Sequence, residues 1–143
     1  APGGWSQVAL EINPKIQITA IDLLELKINH PQITFYKEDF LQFNFDKLKK
    51  NFDLILSDIA PNTTGHKSTD HLRLSSMLFD IIDTLDQIMI KGGVFVTKIW
   101  KGSDEREIIN ILKKKFDEVT YFKPDSSRKD SVEIFIIAKN FKL

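Results

Sequence analysis

Three side chains in this sequence carry the chemical groups needed to move a proton: Asp58, Lys98 and Glu133. Each lies in, or directly after, a short apolar run of the kind that forms a buried strand. In open α/β sheets, ligands bind outside the carboxyl ends of the strands. Carboxylates and an amine that reach such an edge from separate strands can orient and deprotonate a reacting group. The sequence therefore predicts proton-handling chemistry at one edge of a sheet.

Each of these residues also has a simpler structural explanation. A lysine near a strand end commonly extends its ammonium group into solvent, and a strand glutamate is commonly exposed. A partly desolvated lysine can instead act as a base. The spacing alone leaves both explanations open for Lys98 and for Glu133.

A glycine-rich turn and two acidic residues predict a nucleoside cofactor. Gly3 lies in a turn before Trp5, where the missing Cβ lets the backbone come close to a ligand. Asp22 follows a predicted strand, and an acidic residue there can accept hydrogen bonds from both ribose hydroxyls. Asp39 follows the next strand and can accept from an adenine amino group. Each carboxylate alone fits a helix cap or a solvated turn equally well, but their order favours a nucleoside.

The composition excludes several classes of protein. The 143 residues suit one domain, 1–143, and a formal net charge of zero demands no nucleic acid partner. Without cysteine there is no disulfide, zinc thiolate or cysteine nucleophile, and a reducing compartment is expected. The three histidines lack metal-like spacing to acidic residues, so we predict no metal site. No apolar run approaches the length of a membrane span.

The elements that must position these residues alternate between strand-like and helix-like patterns. Helices are predicted at 6–11 with Ser6 as N-cap, at 70–90 with Gly92-Gly93 ending it, and at 104–115, with a short helical or turn segment at 45–50. Strands are predicted at 16–21, 33–36, 52–57, 94–99, 119–122 and 132–139. Because about ten residues and no helix separate the last two strands, they should pair antiparallel. A mostly parallel sheet with one antiparallel strand near the end indicates the methyltransferase variant of the doubly wound fold.

The chain begins on a turn. A glycine-rich turn usually follows a strand, and no strand precedes Gly3. We therefore expect an N-terminal segment, with the first strand of the sheet, to be absent from the sequence.

Several short motifs occur in a fixed order along the chain. They are Ala1-Pro2-Gly3-Gly4-Trp5-Ser6-Gln7, Ile21-Asp22-Leu23-Leu24, Asp39-Phe40, Leu56-Ser57-Asp58-Ile59-Ala60-Pro61-Asn62, Thr64-Gly65, Asp70-His71, Gly92-Gly93, Lys98, Gly102, Lys123-Pro124, Ser127-Arg128, Ser131 and Glu133. In this order the chain closely resembles, over essentially its full length, the FtsJ-type ribosomal RNA 2'-O-methyltransferases, also called RrmJ. The loop at 62–67 and the ending at 138–141 look most like bacterial members.

The resemblance implies a Rossmann-like fold and S-adenosylmethionine-dependent 2'-O-methylation of a ribose, expected to be that of a uridine, in large-subunit ribosomal RNA. The family's catalytic set is Lys-Asp-Lys-Glu, of which Asp58, Lys98 and Glu133 match the last three. The first lysine precedes the glycine-rich turn in the family and has no counterpart here. Lys98 is expected to accept the hydroxyl proton or to steer the oxygen lone pair, Asp58 to orient Lys98, and Glu133 to complete the polar network. The expected cofactor contacts are Gly3, Trp5, Asp22, Asp39 and Asp58.

The expected partner is ribosomal RNA or the large ribosomal subunit. Six basic residues are candidates for phosphate contacts: Lys67, Arg73, Lys101, Lys123, Arg128 and Lys129. We expect a monomer in the cytoplasm of a bacterial-like cell, with an organelle left open.

Three alternatives remain. Messenger RNA cap 2'-O-methylation would use a similar catalytic set with an aromatic cap-stacking pocket, and the sequence indicates no clear aromatic pair outside the core. A non-catalytic RNA-binding domain of the same fold would not need Asp58, Lys98 and Glu133 together. A small-molecule O-methyltransferase commonly carries extra substrate-covering segments, for which this chain has little room.

Overall fold

The computed structural model describes residues 3–48, 51–102 and 104–142. Within these ranges the elements are α1 Gly4–Ile12, β1 Ile18–Ile21, β2 Ile33–Tyr36, β3 Phe52–Ser57, α2 Lys67–Ile88, β4 Met89–Trp100, α3 Glu105–Lys115, β5 Phe116–Phe122 and β6 Glu133–Phe141. Short 3-10 turns occupy Phe40–Gln42 and Phe45–Lys47. The chain forms two compact units, Ala1–Asn44 and Phe45–Leu143. The single domain predicted from length stays a prediction.

The first unit contains a pair of parallel strands. β1 and β2 are in register from Ile18 opposite Ile33 to Ile21 opposite Tyr36. The backbone N–H of Asp22 donates to the carbonyl of Tyr36 at 3.2 Å and extends this pairing. Because parallel strands end at the same edge, Asp22 and Asp39 both follow the carboxyl end of this small sheet.

The second unit contains four strands in the order β3-β4-β6-β5. β3 and β4 run parallel, and β6 lies antiparallel to both β4 and β5. β6 therefore begins, at Glu133, at the edge where β3 and β4 end. The prediction of a mostly parallel sheet with one antiparallel strand near the C-terminus is confirmed.

The helices α2 and α3 pack on one face of this sheet. Alternate residues of β4 and β6 are buried there: Phe95, Thr97, Ile99, Ile134, Ile136 and Ala138. Helix residues at three- and four-residue spacing complete the core: Leu74, Leu78, Ile81, Ile82, Leu85, Ile88, Ile108, Ile109 and Leu112. The intervening residues Val94, Val96, Lys98 and Trp100 are half-buried on the opposite face, which we call the open face of this unit.

The long helix begins and ends earlier than predicted. It spans Lys67–Ile88, and the backbone is already extended at Met89. The prediction that Gly92 and Gly93 end the helix is wrong, because both lie inside β4. Gly92 has a φ of 79°, a conformation that glycine adopts without strain, and the pairing of β3 with β4 changes register beside it. These glycines therefore permit an irregular start to the strand.

The first helix also differs from the prediction. It begins at Gly4, two residues before Ser6, and its N-cap is Gly3, so Ser6 is not the cap. Gly3 has a φ of 103°, and a Cβ there would lie 2.7 Å from Leu26 Cδ1. Backbone conformation and packing both require glycine, which sets the start of α1.

Several strand boundaries differ by a few residues from the predicted ones. The strand predicted at 16–21 is Ile18–Ile21, and the last two strands are longer than predicted. The segment predicted at 45–50 is a turn at Phe45–Lys47, and residues 49 and 50 lie outside the described ranges, as do Ala1 and Pro2 of the first motif.

Candidate active site

Lys98 occupies the open face of the second unit, two residues before β4 ends. The alternation of β4 directs it away from the helices, and its side chain is 13% exposed. In the antiparallel pairing, Lys98 lies opposite Phe135 and Trp100 opposite Glu133. Glu133 is therefore the diagonal neighbour of Lys98 on the same face, within reach of a long side chain.

Asp58 reaches the same lysine from the other side. Ser57, the last residue of β3, lies opposite Thr97 in the parallel pairing, so the next residue along each strand brings Asp58 beside Lys98. Lys98 Nζ lies 2.8 Å from Asp58 Oδ1 and 3.7 Å from Glu133 Oε1. The structure thus brings all three predicted residues together, and their catalytic role stays a prediction.

The two ion pairs differ in strength. The contact with Asp58 is short enough for a charge-assisted hydrogen bond, whereas 3.7 Å to Glu133 exceeds hydrogen-bond distance. Both carboxylates are also nearly half exposed, at 43% and 48%, so solvent screens them. Asp58 is therefore the main partner that holds the shielded ammonium of Lys98 in place.

This arrangement can orient a hydroxyl group and remove its proton. An ammonium carries three N–H donors, and an N–H not used by Asp58 can donate to an incoming hydroxyl oxygen. A neighbouring carboxylate can then accept the hydroxyl proton. These are the functions that a reaction with an alcohol nucleophile requires.

In the first unit, Asp22 and Asp39 are held by local backbone contacts. Asp22 Oδ1 accepts a hydrogen bond of 2.8 Å from the N–H of Leu24. Asp39 Oδ1 accepts one of 3.0 Å from the N–H of Leu41 and caps the turn at Phe40–Gln42. These turn and cap contacts fix the direction of each carboxylate at one end of the small sheet. A role in cofactor binding stays a prediction for both.

The two glycines of the glycine-rich turn, Gly3 and Gly4, lie in different environments. Gly3 is buried, and Leu26 and Ile28 occupy the space that its side chain would need. A Cβ on Gly4, in contrast, would meet nothing within 4 Å. Protein packing accounts for the missing side chain of Gly3, whereas Gly4 has open space beside it, and a cofactor contact at Gly3 stays a prediction. Trp5 beside it is 36% exposed.

The six basic residues expected to contact RNA are all exposed. Two of them flank the start of β6: the N–H of Lys101 donates to the Val132 carbonyl at 2.9 Å, and Lys123 Nζ donates to the Ser131 carbonyl at 3.3 Å. The carbonyl of Arg128 accepts from the N–H of Ser131 and closes the preceding turn. The ammonium of Lys123 therefore lies at the start of the strand that carries the glutamate of the ion-pair cluster.

Asp70, to which the sequence analysis assigned no functional role, is buried and holds the loop that follows Asp58. Its Oδ1 accepts hydrogen bonds of 2.8 Å from both the N–H and the Oγ1 of Thr64. The N–H of Thr64 is the main cause that holds the pKa of Asp70 below its ordinary value of 3.8. An aspartate in the first turn of a helix, just after a polar loop, is the sequence signal for such a contact.

Trp100 is a second residue that sequence reasoning gave no role. Its indole Nε1 is buried and has no hydrogen-bond partner among the described residues. The ring stacks on His71 of α2 with centroids 5.6 Å apart. An apolar strand run gives no sign of this contact, because it depends on where α2 begins relative to the end of β4.

The mostly parallel sheet with an antiparallel strand near the C-terminus has the Rossmann-like fold of the methyltransferases. Human methyltransferase-like protein 13 in complex with SAH superposes with a TM-score of 0.68 at 15% identity, covering 99% of this chain and 71% of that one. Identity this low establishes the fold alone. Residues 1–141 match the FtsJ-like methyltransferase family, and the chain belongs to that family. The family predicted from the motifs is confirmed.

Relatives agree with this assignment. The chain is 39% identical to ribosomal RNA large subunit methyltransferase E of Rickettsia bellii and 41% identical to that of Novosphingobium aromaticivorans, covering 99% of this chain in each case. It spans 67% and 66% of the length of those two proteins. A crystal structure from Plasmodium falciparum, described as a ribosomal RNA methyltransferase, has a TM-score of 0.84 at 30% identity over 98% of this chain and 81% of that one.

Proposed function

We propose that the chain transfers the methyl group of S-adenosylmethionine to the 2' hydroxyl of a uridine ribose in large-subunit ribosomal RNA. The observation that carries this proposal is Lys98 Nζ, held 2.8 Å from Asp58 Oδ1 on the open face. The names of the relatives support large-subunit RNA as the substrate, and the methyltransferase family supports the cofactor.

The donor set of the first unit fits the adenosine part of the cofactor. Asp22 and Asp39 follow adjacent parallel strands, and backbone N–H groups fix their direction. Carboxylates so placed suit ribose hydroxyls and an adenine amino group, both of which are hydrogen-bond donors. Trp5 and the backbone at Gly3 and Gly4 complete the proposed contacts of this unit.

For Asp58, in the second unit, the contact with the cofactor stays a prediction beside its ion pair with Lys98. When bound, S-adenosylmethionine supplies a methyl group on a positively charged sulfur.

The residues of the ion-pair cluster act on the attacking hydroxyl. Transfer of the methyl group to the hydroxyl oxygen would leave the electron pair of its former bond on the sulfur, and the hydroxyl proton would have to leave. Lys98 pairs with two carboxylates, as a charged ammonium does, so we assign it the steering role: an N–H of Nζ donates to the hydroxyl oxygen and directs its lone pair. The hydroxyl proton passes to solvent, and Glu133, whose side chain is 48% exposed, completes the polar network around Lys98.

A labelling experiment tests the proposal. The full-length protein is incubated with methyl-labelled cofactor and, separately, with large ribosomal subunits and protein-free ribosomal RNA, and the product is mapped by mass spectrometry. We expect one 2'-O-methylated uridine, which also identifies the preferred substrate. Label on a base would contradict the assigned chemistry. Tight RNA binding without any transfer would favour the non-catalytic RNA-binding alternative.

We propose a monomer that acts on RNA in the cytoplasm. No helix in the described ranges combines the length and apolar content that crossing a membrane requires. Sedimentation of the full-length protein at micromolar concentration checks the monomer, and a dimer would contradict it.

A further inference from the structure

A row of three side chains crosses the open face beside the ion-pair cluster. Lys98 of β4 lies opposite Phe135 of β6, and Phe135 in turn lies opposite Phe122 of β5. Directly opposed residues of antiparallel strands point to the same face of the sheet. Phe135 therefore separates Lys98 from Phe122, and the two outer backbones lie about 10 Å apart, twice the usual strand spacing.

The outer end of this row is exposed. Phe122 is 52% exposed, and it is the last residue of its strand. Phe122 and Phe135 are directly opposed across the two strands, so their side chains are neighbours on one face, and we call this pair the platform. Cap stacking would need two rings that face each other across a gap.

The chemistry around the platform identifies its occupant. Lys123 directly follows Phe122 and donates from Nζ to the Ser131 carbonyl at the start of β6, and Lys101 follows the end of β4 on the other side of β6. Exposed aromatic rings combined with flanking cationic side chains are the pattern by which proteins bind single-stranded nucleic acid: bases stack on the rings while phosphates contact the cations. A purely apolar partner would not use the charges.

We propose that Phe122, supported by Phe135, stacks against a base of the RNA at the methylated nucleotide or its immediate neighbour, and so positions the ribose at Lys98. This inference rests on the proposed function. It deepens that function by requiring the RNA strand to be unpaired at the site, because a base within a duplex cannot present its face to a ring. Phe122 is a substrate-positioning residue, separate from the residues that act on the hydroxyl.

Tyr121 provides a matched control. It is 53% exposed, nearly the same as Phe122, and is the preceding residue of the same strand. Its cross-strand partner is the buried Ile136, so it points to the helix face of the sheet, where it lines a pocket together with Glu105. Loss of either aromatic side chain changes exposed apolar area by a similar amount, but only Phe122 faces the cluster.

The test compares Phe122→Ala, Phe122→Trp and Tyr121→Ala in the full-length protein, with saturating cofactor and varied RNA. For Phe122→Ala we expect KM for RNA to rise about tenfold or more, as removal of one stacking aromatic generally does. Phe122→Trp should restore the wild-type KM, and Tyr121→Ala should leave it within about twofold. Calorimetric affinity for the cofactor should be the same in all three.

Other results would overturn the inference. An unchanged KM in Phe122→Ala, with the wild-type enzyme active, removes Phe122 from the RNA site while the proposed function stands. A Phe122→Ala protein that instead loses thermal stability or a self-association seen in the wild type shows that protein covers the ring.

If the wild type transfers no methyl group to any RNA, the proposed function fails by itself. The platform is then tested by fluorescence anisotropy with a labelled unpaired oligonucleotide. Equal binding by wild type and Phe122→Ala refutes it, and weaker binding by the variant supports it.

Discussion

Carboxylates at the strand ends of the two units are held in contrasting ways. In the first unit, Asp22 and Asp39 each accept a hydrogen bond from a backbone N–H only two residues further along the chain. In the second unit, Asp58 and Glu133 contact a lysine that comes from a different strand. The first arrangement depends on a short turn, and the second depends on the order of three strands in a sheet.

This difference separates two kinds of site. A carboxylate fixed by its own turn keeps its direction as long as a few residues keep their conformation. A lysine between two strands keeps its partners only while the sheet pairs correctly. Substitutions in the two units should therefore affect different measurements, and four predictions test this, beginning with the largest effect.

Replacement of Lys98 by Ala should have the largest effect. We expect methyl transfer to fall by about 10²–10⁴-fold, the usual contribution of a group that orients or moves a proton, with cofactor affinity nearly unchanged. Single-turnover transfer and calorimetry measure the two quantities. Lys115→Ala is the control, because it breaks a comparable ion pair with Asp86 in which the lysine side chain is 21% exposed. Normal transfer by Lys98→Ala would remove the ion-pair cluster from the mechanism.

Replacement of Asp22 by Asn should weaken cofactor binding and leave the fold unchanged. The amide oxygen can still accept from the N–H of Leu24, so the turn is retained while the charge is lost. We expect the dissociation constant for S-adenosylmethionine to rise about tenfold, which matches the loss of one charge-assisted hydrogen bond. Calorimetry measures it, and a thermal melt confirms that the turn is intact. Wild-type affinity in this variant would leave Asp22 with a structural role only.

Replacement of Glu133 by Gln should have a smaller effect on transfer than Asp58→Asn. The carboxylate of Glu133 lies 3.7 Å from Lys98 Nζ and is nearly half exposed, so its charge contributes little. We expect a loss of about three- to fivefold for Glu133→Gln, equivalent to less than about 1 kcal/mol. Single-turnover rates of methyl transfer for both variants show which substitution causes the larger loss. An equal or larger loss in Glu133→Gln would mean that it is the essential proton acceptor.

Replacement of Asp70 by Ala should have the smallest effect. It should change the thermal stability of the protein and leave methyl transfer unchanged. The pKa of Asp70 is lowered in the folded protein, chiefly by the hydrogen bond from the N–H of Thr64. A lowered pKa adds stability that is fully present above the ordinary value of 3.8 and is lost as the pH falls through the folded value. Asp70→Ala should therefore melt at a lower temperature than wild type at pH 7, and the difference should shrink below pH 4. A difference that does not change with pH would contradict this linkage.

Much of the fold was predictable because its signals are local. The spacing of apolar residues in α2 and the alternation in β4 identify a helix and a strand without reference to anything distant. Boundaries were less predictable. Gly92 and Gly93 resemble a helix stop, yet they serve an irregular strand start, because the pairing of β4 with β3 decides where extended structure begins.

The sequence by itself determined the family, the elements and the identity of Asp58, Lys98 and Glu133 as candidates, since motif order and periodicity are properties of the chain alone. Only the tertiary structure decided that Lys98 contacts both carboxylates and that Phe122 lies on the same face as Lys98. Contacts between strands depend on strand order and register, and a shift of one residue would turn each of these side chains to the opposite face.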